Sequence, residues 1–160
     1  RYLADVLRQQ GHKVLLTREP GGSAGAELIR NLLVTGSADR WSSEAEVLLM
    51  CAARADHWKK QILPALQQGH CVLCDRFADS TLAYQGYGRG VNLQFLEELY
   101  HYIIGDYYPD RTYLFDLSPT LGLERAKQRL KQQEGAITVA ESRFESLGLD
   151  FHERVYSGYH

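Results

Sequence analysis

The sequence lacks the features that mark a membrane protein or a general nucleic-acid binder. None of its apolar runs approaches the length of a membrane span, so we expect no membrane partner. Positive charge is not in excess either, because 18 Lys and Arg residues face 20 Asp and Glu residues, for a formal net charge of -2. That balance argues against nucleic-acid binding, yet it allows a small phosphate ligand that a few arginines could hold.

Cysteine is scarce, with Cys51, Cys71 and Cys74 as its only occurrences. Cys71 and Cys74 form a C-x-x-C pair, a spacing that suits redox chemistry or half of a zinc site. A second cysteine pair is missing, and the surrounding residues read as a buried strand. We therefore interpret the cysteines as small core residues in a reducing compartment, which predicts a cytoplasmic location.

The 160 residues have the size and composition of one compact domain, 1–160. Apolar periodicity and turn residues predict alternating helices and strands, which indicates an α/β fold with a parallel sheet flanked by helices. The predicted strands cover 12–17, 71–74 and 111–117. The predicted helices cover 1–10, 24–34, 44–68, 79–85, a segment after Asn92, 119–130 and the chain from residue 143 onward.

Chemically active residues follow the predicted strands, at the sheet edge where ligands bind in such folds. The first strand leads into Thr17-Arg18-Glu19-Pro20-Gly21-Gly22, and the second into Asp75-Arg76-Phe77. Arginine suits phosphate because its planar guanidinium stays charged and donates several hydrogen bonds. Either arginine alone is better interpreted as part of an ordinary Arg–Asp ion pair at a sheet edge. Two such strand ends in one α/β sheet favour a phosphate site instead.

The longest motif is DRFADSTLAYQGYGRG, from Asp75 to Gly90. Together with Thr17 to Gly22, Tyr108-Pro109-Asp110 and Leu149 to Val155, it resembles thymidylate kinase of the bacterial type over essentially the whole chain. The resemblance implies a three-layer P-loop nucleotide kinase fold and transfer of the γ-phosphoryl group of ATP to dTMP, giving dTDP. It also implies Mg²⁺ as cofactor, dTMP and ATP as partners, and a homodimer.

The resemblance further implies roles at the phosphate end of the acceptor site. Arg76 is expected to grip the acceptor phosphate, and Arg18 is expected to reach the same group. Asp75 is expected to lie near the metal and to hold Mg²⁺ through water.

At the base end, the resemblance places Thr81, Tyr84 and Gln85 against the thymine and the sugar, with simple packing as the alternative for Tyr84 and Gln85. Arg54 is expected at the base edge. Met50 stands where many family members have a phenylalanine that stacks on thymine. It shares a helix face with Arg54, and a thioether can contact an aromatic ring, although core packing explains Met50 equally well.

A polar segment, about 131–143, corresponds to the mobile lid of the family. Lid arginines in related enzymes neutralise charge on the transferred group. Arg143 matches the lid exit, which makes it the preferred catalytic arginine. Arg129 is a second candidate, and a residue of a solvated loop is the alternative interpretation for it.

The sequence contains no G-x-x-x-x-G-K-[ST], the motif whose amides and lysine hold the donor phosphates. We therefore expect that the chain is truncated at both ends and lacks the loop that binds ATP, so that it is inactive by itself. We also expect that it lacks a central strand of the sheet, which would leave the neighbouring strands unpaired. Two alternatives remain: another nucleoside monophosphate kinase, or a non-catalytic nucleotide-binding remnant.

Overall fold

The computed structural model describes the backbone of residues 1–132 and 143–160, and the side chains of residues 1–128 and 143–160. Helices and strands alternate as predicted in the first half of the chain. The helices are α1 (Tyr2–Gln9), α2 (Ala24–Val34), α3 (Ser43–His57), α4 (Leu63–Gln67), α5 (Ala78–Thr81), α6 (Leu93–Ile104), α7 (Pro119–Gln132) and α8 (Leu149–Tyr159). The strands are β1 (Val14–Arg18) and β2 (Cys71–Asp75), and two π-helical segments cover Trp58–Ile62 and Leu82–Gly88.

Side-chain caps begin several of the helices, and the sequence predicts those at Asn92 and Ser118. The Ser23 hydroxyl accepts a hydrogen bond from the Ala26 amide at the start of α2, whose bounds match the prediction. Asn92 does the same for the Phe95 amide, 3.0 Å away, at the start of α6. Ser118 precedes α7 and lies 3.5 Å from the Leu121 amide. These contacts satisfy amides that a helix leaves unpaired at its first turn.

The two strands form a parallel pair, which confirms the predicted α/β class. Val14 lies opposite Cys71, and Arg18 lies opposite Asp75. The predicted strand exits therefore meet at one edge of the sheet. The cysteines are free; Cys51 is buried as predicted, but Cys71 is exposed because it opens β2 at the surface, so the prediction of a core residue is wrong there.

The third predicted strand, 111–117, is not paired with any strand in the described part of the chain. Its large side chains are solvent-exposed, with Tyr113 70% and Phe115 91% accessible. The local sequence has the aromatic and aliphatic character of a strand, but a strand forms only beside a partner that satisfies its amides and carbonyls.

The long helix predicted over 44–68 is continuous in space but not uniform. Its π-helical segment inserts Trp58 and Ile62 into a core cluster with Tyr100 and Ile104 of α6. The helix predicted from residue 143 begins later, at Leu149, because residues 143–147 form turns.

The second π-helical segment lies against α8 and holds the last helix in place. Ala83, Phe151 and Val155 form a buried cluster, and Gly88 leaves room for the Phe151 ring, which would collide with a Cβ atom there. Among the residues that the structure describes, no helix combines the length and apolar character that a membrane crossing requires.

Candidate active site

Several residues that are predicted to form the acceptor site lie at the carboxyl ends of β1 and β2. Arg18 and Asp75 end the two strands in register, and the Glu19 amide donates to the Asp75 carbonyl oxygen at 3.0 Å. The Arg18 guanidinium is half-exposed and donates to Glu27 Oε2 at 3.0 Å. Burial alone would raise the pKa of Glu27, but the Gly22 amide and Arg18 outweigh it and lower the pKa. Glu27 therefore holds Arg18 beside the loop.

Arg76 follows β2 in a left-handed backbone conformation, with φ of 64°. Such a conformation is uncommon for a residue other than glycine and is often associated with function. The guanidinium carbon lies 5.1 Å from the centre of the Tyr84 ring, and Nη1 lies 3.5 Å from the Tyr159 hydroxyl oxygen. The Tyr159 hydroxyl also lies 2.7 Å from Ser80 Oγ. Two aromatic side chains thus fix the arginine that the sequence assigns to the acceptor phosphate.

Burial influences both partners of this contact. It would lower the pKa of Arg76, but the nearby Tyr84 and Tyr159 outweigh it and raise the pKa above its ordinary value. Burial also raises the pKa of the Tyr159 hydroxyl. Arg76 is therefore a cation and Tyr159 a neutral phenol over the whole physiological pH range.

A second group, the Glu19 cluster, consists of Thr17, Glu19, Arg54, His57 and Thr81. Arg54 is buried and donates from Nε to Glu19 Oε2 at 2.8 Å and from Nη2 to Thr81 Oγ1 at 2.9 Å. Glu19 Oε1 lies 3.1 Å from His57 Nδ1, and His57 Nε2 lies 2.7 Å from Thr17 Oγ1. The cluster joins the end of β1 to α3 and α5.

Gly22 closes over this cluster and offers a test of how tightly it is packed. Its φ is +86°, and an added Cβ would collide with the His57 ring and the Thr17 hydroxyl. Gly69 has a similar φ of +74° but nothing within 4 Å of an added Cβ. Both replacements by alanine share the backbone strain of about 1 kcal/mol, so their difference reports the collision.

We expect Gly22→Ala to lower the free energy of unfolding by about 1–3 kcal/mol more than Gly69→Ala, the cost typical of overpacking. Urea unfolding of the two variants, monitored by circular dichroism, measures the difference. Equal losses would show that the ring and the loop move apart without cost.

A third group, the Glu46 network, consists of Glu46, Gln85, Arg89 and Arg143. Glu46 is fully buried on α3; its Oε1 accepts from Gln85 Nε2 at 2.9 Å and its Oε2 from Arg89 Nη2 at 3.1 Å. Arg143 Nη2 forms an ion pair with the same Oε2. Two cations and one amide therefore satisfy one buried carboxylate, as a buried charge requires.

Arg143 is fully buried, and its guanidinium also donates to the carbonyl oxygens of Leu33, Ser37 and Ala38 at 3.2–3.3 Å. Its own amide donates to the Val34 carbonyl. These contacts anchor residue 143 to the connection between α2 and α3. The catalytic role of Arg143 stays a prediction.

The remaining sequence predictions fall as follows. Met50 is half-buried on α3, one turn before Arg54, and Gln85 is 1% exposed within the Glu46 network. Arg129 lies on α7, but its side chain is outside the described residues, as is most of the predicted lid, 131–143.

Sequence reasoning missed four residues that organise the site. Glu19 stood inside a motif that had already been singled out, so a signal existed. Glu46, His57 and Tyr159 contact partners between 38 and 83 positions away, and no local pattern marks them.

Asp75 is the one predicted metal contact, and its side chain is exposed at the end of β2. Within the described ranges, no three His, Cys, Asp or Glu side chains come together in a metal-binding cluster. A lone exposed carboxylate fits Mg²⁺, which commonly keeps several waters and relies on substrate phosphates for its other ligands.

Comparison with known proteins gives one consistent result. The family model described as thymidylate kinase matches residues 1–160. The thymidylate kinases of Caulobacter vibrioides and Ruegeria pomeroyi are 52% and 49% identical over 159 residues, which is 99% of this chain. The crystal structure of thymidylate kinase from Ehrlichia chaffeensis superposes with a TM-score of 0.71 at 34% identity.

The chain does not span these relatives fully. It covers 72% and 71% of the two curated sequences and 66% of the solved chain, in each case with 99% of its own length. The similarity therefore concerns the whole of this sequence and about two thirds of the proteins it resembles.

Proposed function

Because this chain belongs to the thymidylate kinase family, we propose that its site binds dTMP and directs the γ-phosphoryl group of ATP onto it, giving dTDP. The observation that supports this is a pair of arginines, Arg76 and Arg54, that each lie over an aromatic ring. Arg76 lies over Tyr84, while Arg54 lies with its guanidinium carbon 5.4 Å from the Phe77 ring centre. One arginine suits a phosphate, and the other suits a hydrogen-bond acceptor on a base.

In this proposal Arg76 binds the acceptor phosphate by charge-assisted hydrogen bonds, and Arg18 approaches the same phosphate from the end of β1. Binding by arginine neutralises the acceptor and orients its oxygen for in-line attack, which is the main task of the protein in phosphoryl transfer. Mg²⁺, near Asp75, would supply charge stabilisation on the phosphates when bound.

At the other end, Arg54 donates to the base, with Thr81, Tyr84 and Gln85 beside it and Met50 on the same face of α3. Gln85 is oriented by Glu46 through its amide nitrogen, which fixes its amide oxygen as well. For Arg143 the contacts support a positioning role, since its donors already bind carbonyl oxygens and Glu46. Arg129 is the remaining candidate for an arginine that touches the transferred group.

The site described above concerns only the acceptor nucleotide, because the 160 residues contain no P-loop motif that would bind the donor ATP. The complete gene product is therefore the material for every activity assay below. We also propose a cytoplasmic homodimer. Leu28 and Leu48 are exposed on the packed helices α2 and α3, and such apolar side chains support dimer formation. Sedimentation velocity would test the dimer.

The deciding experiment measures ADP formation by the complete gene product with ATP and Mg²⁺, adding dTMP, dUMP, dCMP or AMP in turn. We expect turnover that depends on dTMP and exceeds that with dCMP. Turnover with AMP alone would indicate another nucleoside monophosphate kinase. Binding of dTMP in calorimetry without any turnover would indicate a non-catalytic nucleotide-binding protein.

A further inference from the structure

We propose that Glu19 is a positioning residue: it holds Arg54 in the orientation that binds the acceptor nucleotide, and His57 holds Glu19. This inference rests on the proposed function, because it assigns a task to a residue through the substrate contact of Arg54. Glu19 itself is 5% exposed, and both of its oxygens bond to protein side chains, so we assign it no direct contact with the ligand.

Both carboxylate oxygens of Glu19 already accept hydrogen bonds from protein side chains. Oε2 accepts from Arg54 Nε, and Oε1 accepts from His57 Nδ1. A carboxylate only accepts, so the His57 proton lies on Nδ1, and Nε2 is then an acceptor for the Thr17 hydroxyl in the neutral ring. The chain of contacts thus runs from Thr17 on β1 through His57 and Glu19 to Arg54.

A backbone hydrogen bond fixes the main chain of Glu19. Its amide donates to the Asp75 carbonyl oxygen at 3.0 Å, directly beyond the paired ends of β1 and β2. His57 is fully buried and lies under Gly22, where a Cβ atom would not fit. The carboxylate therefore has little freedom, and neither does the arginine bonded to it.

Arg54 uses only some of its hydrogen-bond donors within the protein. Nε binds Glu19 and Nη2 binds Thr81, so two different elements fix the plane of the guanidinium. Nη1 makes no hydrogen bond within the described part of the chain, and it remains available to a ligand. A preorganised arginine loses less side-chain entropy on binding than a mobile one, which strengthens ligand affinity.

The test is steady-state kinetics of the complete gene product carrying Glu19→Gln. Glutamine keeps the shape but loses the charge that holds Arg54. We expect the KM for dTMP to rise about tenfold while the KM for ATP and kcat change by less than about twofold. Asp56→Asn is the matched control, because Asp56 lies beside His57 but bonds to Ser23 and Lys60 instead.

A double-mutant cycle separates positioning from a general structural role. If Glu19 acts through Arg54, adding Glu19→Gln to Arg54→Gln should leave the KM for dTMP unchanged within about twofold. Additive effects, or an unchanged KM in Glu19→Gln alone, would overturn the proposal. Should Glu19→Gln fail to fold by circular dichroism, Glu19→Asp carries the same test, since it retains the charge but withdraws it from Nε.

The two levels of failure are distinguishable. Wild-type protein without dTMP turnover would remove the proposed function, and the role of Glu19 with it. If the wild-type protein turns over dTMP and the Glu19→Gln variant has an unaltered KM for dTMP, the proposed function stands and only the role of Glu19 is refuted.

Discussion

Replacing Arg76 with alanine is expected to lower kcat/KM for dTMP by about 10²- to 10³-fold, the loss typical when one preorganised donor to a reacting oxyanion is removed. The reason is that the guanidinium is already held, over the Tyr84 ring and beside the Tyr159 hydroxyl, before a phosphate arrives. Kinetics of the complete gene product at saturating ATP and varied dTMP would measure the effect.

Two further variants make this result specific. Arg76→Lys keeps the charge but not the planar pair of donors, so it should fall between wild type and alanine. Arg8→Ala removes an exposed arginine on α1 that bonds Asp5 and the Val14 carbonyl oxygen, at the opposite end of β1 from Arg18, and it should leave kcat/KM unchanged. A loss below about threefold in Arg76→Ala would mean that another residue binds the acceptor phosphate.

Replacing Glu46 with alanine is expected to reduce the free energy of unfolding by about 3–5 kcal/mol, because it leaves a buried cation without its counter-ion. Arg143 is fully buried and keeps three carbonyl acceptors, but these carry only partial charges. Gln85 and Arg89 lose their acceptor at the same time. Urea unfolding followed by circular dichroism would give the value.

Glu44→Ala is the matched control, two residues earlier in the first turn of α3 and exposed to solvent. It should change the free energy of unfolding by no more than about 0.5 kcal/mol, as exposed substitutions usually do. A small effect of Glu46→Ala would show that water enters and solvates Arg143. In that event the Glu46 network would not be what holds residue 143 against α2.

Local chemistry predicted the helices well where a cap or a breaker defines the end. Asn92 caps α6 as the sequence predicts, and Gly69 follows the end of the long helix. Helix content near residue 143 was overestimated, because the tertiary contacts of Arg143 hold the following residues in turns. The two π-helical segments have no local sequence signature that separates them from ordinary helix.

The segment 111–117 was predicted as a strand but does not form one in the structure. A strand is stabilised by a neighbour that is distant in sequence, so its own composition shows only that it could pair. The sequence predicted a parallel sheet, but it did not predict that β1 pairs with β2. Both strands are short, apolar and followed by arginine–carboxylate exits, and the structure places Arg18 opposite Asp75.

Within the site, sequence motifs indicated the residues that are proposed to face a ligand. The residues that hold them became apparent only in the structure. Arg54 and Thr81 were both singled out, yet their hydrogen bond to each other links positions 27 apart. Glu46 looks like any acidic residue in the first turn of a helix. Only the folded chain shows that its carboxylate joins Gln85 to Arg143.

The anchoring of Arg143 has a consequence for how such chains can diverge. Its amide and guanidinium bond to carbonyl oxygens at the end of α2 and in the connection that follows, at Val34, Leu33, Ser37 and Ala38. At its other end, α8 packs on the π-helical segment Leu82–Gly88 through Phe151 and Val155. Both ends of the stretch from Arg143 to α8 are therefore fixed, and we expect a change of one residue between Arg143 and Leu149 to move the helix that reaches Arg76.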